Sequence, residues 1–303
     1  MTNLIKTHDW FFTSKNQARG YIQPDTLREL WFHVGTACNL SCPFCLEGSK
    51  PGDKRLQPML LGDVMPFIDE AMTMNVERFS FTGGEPFVIK DFVSILSYAS
   101  QRRPCLVLTN GTRPVHQRLQ QIATLNHSKY PISFRISIDY PDEARHDQGR
   151  GAHSFREALT GIKELAALGF EVSVARQMTK NEDSEQVNEQ YRRLFVTESI
   201  PEHTHIVVFP DFAPPFEEHE TPEISEHCMT QYHDERSRRA FMCAYSKMVI
   251  KNERGMRVYA CTLVDDNIGY DLGGKLNSSM SQRIMMKHHR CYSCFAYGAS
   301  CSG

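Results

Sequence analysis

Residues 37–45 read Ala37-Cys38-Asn39-Leu40-Ser41-Cys42-Pro43-Phe44-Cys45. The cysteines follow a C-x3-C-x2-C spacing. Thiolates are soft donors suited to iron–sulfur clusters, and three in one short loop can ligate three irons of a [4Fe–4S] cube. The fourth iron then has no protein ligand and is open to a small molecule. Zinc fits less well, because structural zinc asks for four ligands and paired knuckles. Three thiols packed together in a core are the plain alternative.

The stretch Arg78-Phe79-Ser80-Phe81-Thr82-Gly83-Gly84-Glu85-Pro86 reads as a strand running into a Gly-Gly turn. Two glycines let the backbone approach a ligand closely, with N–H groups and a carboxylate at the strand's end. Alone this is a weak turn signal. One βα unit after a cysteine loop, it is a strong one.

At these residues the chain resembles the radical S-adenosylmethionine (SAM) enzymes. The resemblance implies a [4Fe–4S] cluster on Cys38, Cys42 and Cys45, with SAM bound to the open iron. It implies that Gly83, Gly84, Glu85 and Pro86 receive the SAM amino group and that Phe44 lies near the adenine. The implied chemistry is one-electron cleavage of SAM to a 5′-deoxyadenosyl radical, which takes a hydrogen atom from the substrate. An electron donor of flavodoxin or ferredoxin type is implied as partner.

Composition bounds the rest. The 303 residues can bury a substantial core, and the formal net charge of −2 gives no reason to expect a nucleic-acid partner. Residues 1–21 lack a signal-type apolar run and no segment approaches membrane-spanning length, so the expectation is a cytoplasmic protein with no membrane partner. Ten cysteines suit cluster ligands in a reducing compartment better than a disulfide framework.

Strand-like and helix-like segments alternate. Strands are predicted at 30–34, 79–82, 105–109, 132–138, 171–176 and 205–209. Helices are predicted at 60–74, 87–99, 116–125, 154–168 and 185–195, with Ser154 as N-cap and Gly169 as C-cap of the fourth. Six βα repeats specify an α/β fold with a parallel sheet and helices outside, open or closed as a barrel, and with the resemblance the expectation is a partial (β/α)6 barrel. The expected division is an extension at 1–24, the barrel at 25–212, a linker or helix at 213–240, and a small cluster-binding domain at 241–303. The proline- and acid-rich run 210–222 marks the boundary.

Ligands bind at the C-terminal ends of parallel strands. That rule singles out Asn110 after the third strand. It also singles out Ser137 and Asp139, which share a face by the two-residue period and can hold a ribose diol or merely cap a turn. Arg176 can face a carboxylate of SAM or substrate, or be a solvated rim charge. The stretch His146-Asp147-Gln148-Gly149-Arg150-Gly151 also resembles the radical SAM class, in its subgroup with cysteine-rich C-termini. No catalytic residue on the protein side can be named.

Past the boundary, Asn252-Glu253-Arg254-Gly255 is a hairpin signal that folds Cys243 and Cys261 toward each other. Cys291 and Cys294 follow a stretch, 281–289, that reads as helical. This part resembles the auxiliary-cluster modules called SPASM and twitch, although Gly255 stands one residue out of the family's hairpin pattern. The resemblance implies a second [4Fe–4S] cluster on Cys243, Cys261, Cys291 and Cys294, with Cys301 able to replace one of the last pair. A four-thiolate zinc site is the alternative. Cys105 reads as core and Cys228 as without a role. His33 reads as packing, and His288 and His289 as solvated.

The leading expectation for the substrate is a small polar molecule that is oxidised or rearranged. The second is a short precursor peptide whose side chain is modified. About 25 residues precede the first strand, too few for a peptide-binding domain with its own core. A plain electron carrier would need no SAM-reading residues.

Overall fold

The computed structural model describes residues 7–179, 182–209 and 220–298. Its framework is a nine-stranded sheet. A short strand β1 (Tyr21–Ile22) comes first, followed by β2 (Glu29–His33), β3 (Arg78–Thr82), β4 (Cys105–Thr109), β5 (Ile132–Ser137), β6 (Glu171–Gln177) and β7 (His205–Phe209). β2 through β7 pair in chain order and in parallel. All six predicted strands are present within a residue or two.

The apolar runs explain the arrangement, because a strand covered on both faces needs no alternation. Every residue of β2 is buried. Leu30 and Phe32 pack with the helical layer, while Trp31 faces the other core cluster. The helices Leu61–Thr73, Phe92–Ser100, Ser154–Ala167 and Ser184–Thr197 supply that outer layer. Phe81, Phe87 and Phe92 meet edge-on at 5.0 and 5.7 Å between centroids. Each buried phenylalanine of this kind contributes roughly 1.5–3 kcal/mol.

Local details depart from expectation. The predicted helix 116–125 is two short ones, Arg113–Gln117 and Leu119–Ala123. The helix Ser154–Ala167 is capped by Asp147, whose carboxylate accepts from the backbone of His153 and Phe155 and from the Ser154 hydroxyl. Its N-cap is His153, in the left-handed region at φ +68°, and not Ser154. Gly169 does follow the helix at φ +85°.

The C-terminal part joins the same sheet. Strand β8 (Ser246–Asn252) runs parallel to β2, and β9 (Gly255–Tyr259) returns antiparallel through the two-residue turn at Glu253 and Arg254. This is the predicted hairpin, and β10 (Asp271–Gly273) extends it. The stretch 281–288 is not helical. It carries β11 (Ile284–Met285), which pairs with β1, and the helix His289–Tyr297 starts only afterward. The backbone groups of 284–285 are claimed by a strand far away in sequence, a partner no local pattern announces. The expected boundary at 210–222 falls mostly outside the described residues. No helix among the described residues is long and apolar enough to cross a membrane.

Candidate active site

Strands β3 to β7 all end on one cavity of about 220 Å³. Cys38, Cys42 and Cys45 form one wall of it. No disulfide joins any of the described cysteines. Burial pushes the Cys38 thiol up to about 12 and raises that of Cys42. Thiols such as Cys38 and Cys42, half-buried and reluctant to ionise, call for a positive partner before they act as ligands. Such a partner is an iron cluster in the soft-donor logic of the triplet.

Gly83 and Gly84 also line the cavity, and the reason for glycine is specific. A Cβ on Gly84 would lie 2.4 Å from the Ala37 carbonyl oxygen and 2.6 Å from that of Thr36. On Gly83 it would lie 2.8 Å from the Gly35 oxygen. The close approach made possible by these glycines is that of the cysteine loop's own backbone. Gly84 N–H donates to Gly35 and Glu85 N–H to Ala37, which fastens the loop to the end of β3.

Glu85 corrects an expectation. It has no exposed surface, and its carboxylate accepts from Phe87 N–H at 3.0 Å, Asn110 N–H at 2.8 Å and the Thr109 hydroxyl at 2.9 Å. The carboxylate ties the end of β3 to the end of β4 and is not offered to an ammonium group in the cavity. Pro86 is likewise buried, opening the turn Pro86–Val88.

This geometry makes a prediction. Each carboxylate oxygen of Glu85 faces one backbone N–H, so a glutamine there must turn its NH2 toward a donor whichever way it flips. Glu85→Gln is expected to cost about 1–3 kcal/mol of stability at neutral pH. Burial raises the Glu85 carboxyl from its ordinary value to about 7, against the pull of its donors. The folded chain therefore holds a proton that the unfolded chain has released, and this group's contribution to stability falls as pH rises from about 4.5 to about 7. Thermal unfolding of wild type and Glu85→Gln across that window checks both, since the variant should lose that part of the slope.

Asn110 sits beside the cysteine loop. Its amide donates to Asn39 at 2.9 Å and approaches Cys38 Sγ at 3.9 Å, while its oxygen accepts from Thr112. Ser137 and Asp139 both line the cavity as expected. Asp139 is held by Arg150 through a two-pronged contact. Phe44 lies on the same cavity, packed against Gly149 with the Arg150 guanidinium 5.8 Å from its ring centre. Arg150, part of the stretch His146–Gly151, is thus a wall residue joining Asp139 to Phe44. Its signal was the glycine on either side, which lets the helix Glu143–Arg150 end against the aromatic ring.

Arg176 lines the cavity but is not a solvated rim charge. It is 1% exposed, and its guanidinium is committed to Glu182 at 2.6 Å and Asn188 at 2.9 Å. Trp31, Gln177, Phe209 and Thr262 also line the cavity and were not anticipated.

The second cysteine set also converges. Cys243, Cys261, Cys291 and Cys294 border one small cavity with Tyr270 and Arg290. Burial raises the thiols of Cys243, Cys261 and Cys291. Four soft donors with no disulfide fit a metal cluster by the same reasoning as the first set. Cys301 lies outside the described residues. Cys105 is core, as expected. His288 is buried and 3.1 Å from Asp266, not solvated.

The two sets are physically linked. Arg290, 2% exposed, donates at 3.1 Å to the carbonyl of Leu46, next to Cys45. It donates at 3.1 Å to the carbonyl of Leu263, two residues past Cys261. It also directly precedes Cys291, so one side chain braces three cysteine-bearing segments.

Comparison with known proteins places the chain in a family. Mycofactocin maturase MftC of Mycobacterium tuberculosis (strain ATCC 25618 / H37Rv) is 32% identical over 143 residues, which cover 46% of this chain and 35% of that protein. The sporulation killing factor maturation protein SkfB of Bacillus subtilis (strain 168) is 35% identical over 151 residues, covering 49% of this chain and 34% of that protein. The match thus spans about a third of the length of these relatives. The crystal structure of Streptococcus suis SuiB bound to S-adenosylmethionine superposes with a TM-score of 0.60 at 14% identity, covering 82% of this chain and 63% of that one. That likeness shows the shared fold. The family profile described as the radical SAM superfamily matches residues 32–193, which hold the cysteine loop and strands β3 to β6. The chain belongs to the radical SAM superfamily, enzymes that work with a [4Fe–4S] cluster and SAM.

Proposed function

We propose that the cavity at the ends of β3 to β7 is where SAM is cleaved, and that the hydrogen atom is taken from a side chain of a short peptide. The convergence of Cys38, Cys42 and Cys45 with Gly83 and Gly84 on one cavity carries the first part. When bound, a [4Fe–4S] cluster and SAM supply one-electron bond cleavage and a carbon-centred radical. Cys38, Cys42 and Cys45 would hold that cluster. The backbone of Gly83 and Gly84, with Asn110, Ser137 and Phe44, would bind SAM and orient it. Arg150 holds Asp139 and Phe44 in place, and the apolar Trp31 and Leu108 keep water from the chamber. Cys243, Cys261, Cys291 and Cys294 would hold an auxiliary cluster, a destination for an electron that leaves the substrate.

The peptide reading is supported by the relatives, since both MftC and SkfB are named for maturation. The modest size of the cavity supports the second reading, a small polar molecule. Anaerobically reconstituted protein, reduced with dithionite, should convert SAM to 5′-deoxyadenosine. Short peptides encoded beside the gene should accelerate that reaction and change mass. Acceleration by none of them, together with a mass change in a small metabolite from the same cells, would transfer the assignment to the second reading.

A further inference from the structure

Three side chains outside both cysteine sets converge between them. His33 ends β2 on the face that carries Trp31, by the two-residue strand period. Glu47 lies two residues beyond Cys45 and lines the cavity. Asp265 stands on the loop that follows Cys261. One nitrogen of His33 and one carboxylate oxygen of each acid all lie within 4.8 Å of one another.

The cluster is under-satisfied. The His33 side chain has no exposed surface, and its Nδ1 has no partner. Nε2 is 3.2 Å from Glu47. Asp265 is half-buried and turns a carboxylate oxygen toward Glu47 and His33. Two arginines lie near enough to act electrostatically on these acids, Arg55 on both and Arg290 on Asp265. Arg55 is bound to Asp53 at 2.6 Å and to the Glu47 carbonyl. Arg290 donates to the Leu46 and Leu263 carbonyls and lies 3.9 Å from Asp266. Two half-buried carboxylates set against a buried imidazole are held together by a proton or a cation between them. An imidazole with two carboxylates is a mixed donor set that suits a first-row divalent ion.

We propose that His33, Glu47 and Asp265 bind a divalent cation at the junction of the first cysteine loop, β2 and the loop after Cys261. Its remaining ligands come from water or from an oxygen of the substrate, because Glu47 already borders the cavity. The site uses no cysteine, so it stands or falls separately from the iron sites.

Mn2+ is the probe. Protein with both cysteine sets loaded with iron is desalted and titrated with Mn2+, and free ion is read from its EPR signal. Wild type should bind one Mn2+ saturably, and pulsed EPR of the bound ion should show coupling to a nitrogen nucleus. His33→Gln and Asp265→Asn should bind at least roughly tenfold more weakly, since loss of even an outer-shell partner costs about 10–100-fold, with iron content unchanged. Absence of saturable binding overturns the proposal and leaves a shared proton as the neutralising group. Equal binding by wild type and both variants also overturns it, as does bound Mn2+ without nitrogen coupling. That last measurement needs only wild type, so it decides the matter even if a variant does not fold.

Discussion

Replacing Cys38, Cys42 and Cys45 together with alanine should leave about half of the iron and no SAM cleavage, because only three-thiolate ligation keeps an iron open to a small molecule. The three thiols share one wall of the cavity, and no other described cysteine borders it. The second set lies round its own cavity and should keep its iron. Iron analysis and 5′-deoxyadenosine formation under dithionite check the two halves of this expectation. Continued cleavage by the triple variant would move SAM chemistry to the second set.

The next largest effect is expected at a residue that touches no cofactor through a side chain. Gly84→Ala places a methyl group 2.4 Å and 2.6 Å from two backbone oxygens of the cysteine loop. Neither is the flexible end of a side chain, so loop or turn must move. Overpacking of this kind costs about 1–3 kcal/mol or more. The larger consequence is positional: displacement of a reacting group by about 1 Å can cost on the order of a hundredfold in rate. Gly84→Ala should therefore fold, hold less iron at the first site, and cleave SAM at least roughly a hundredfold more slowly. Wild-type cleavage in this variant would show that the loop is not seated as described.

Much of this was readable from local chemistry. The spacing of Cys38, Cys42 and Cys45, the Gly83-Gly84 turn and six apolar runs in order are short-range features, and each reports directly on donor type, backbone freedom or burial. The hairpin at 252–255 was legible for the same reason, since a Gly at φ +89° ends a two-residue turn. What was not legible depends on partners distant in the chain. Glu85 turns inward because Thr109 and Asn110 present donors to it, and those residues are brought there by the pairing of β3 with β4. Arg176 is claimed by Glu182, while the stretch 281–289 yields its backbone to β1. The parallel seating of β8 on β2, which joins the C-terminal hairpin to the barrel sheet, has no signature in either strand alone. The convergence of His33, Glu47 and Asp265 is of the same non-local kind.

The central claim is that two separate cysteine sets hold iron and that SAM meets only the first. EPR of the dithionite-reduced protein, recorded with and without SAM, tests it most directly. Two cluster signals are predicted, of which SAM perturbs one, and that signal should be absent from the Cys38, Cys42 and Cys45 variant. A SAM-sensitive signal that survives in that variant, or two signals that both ignore SAM, would contradict the account.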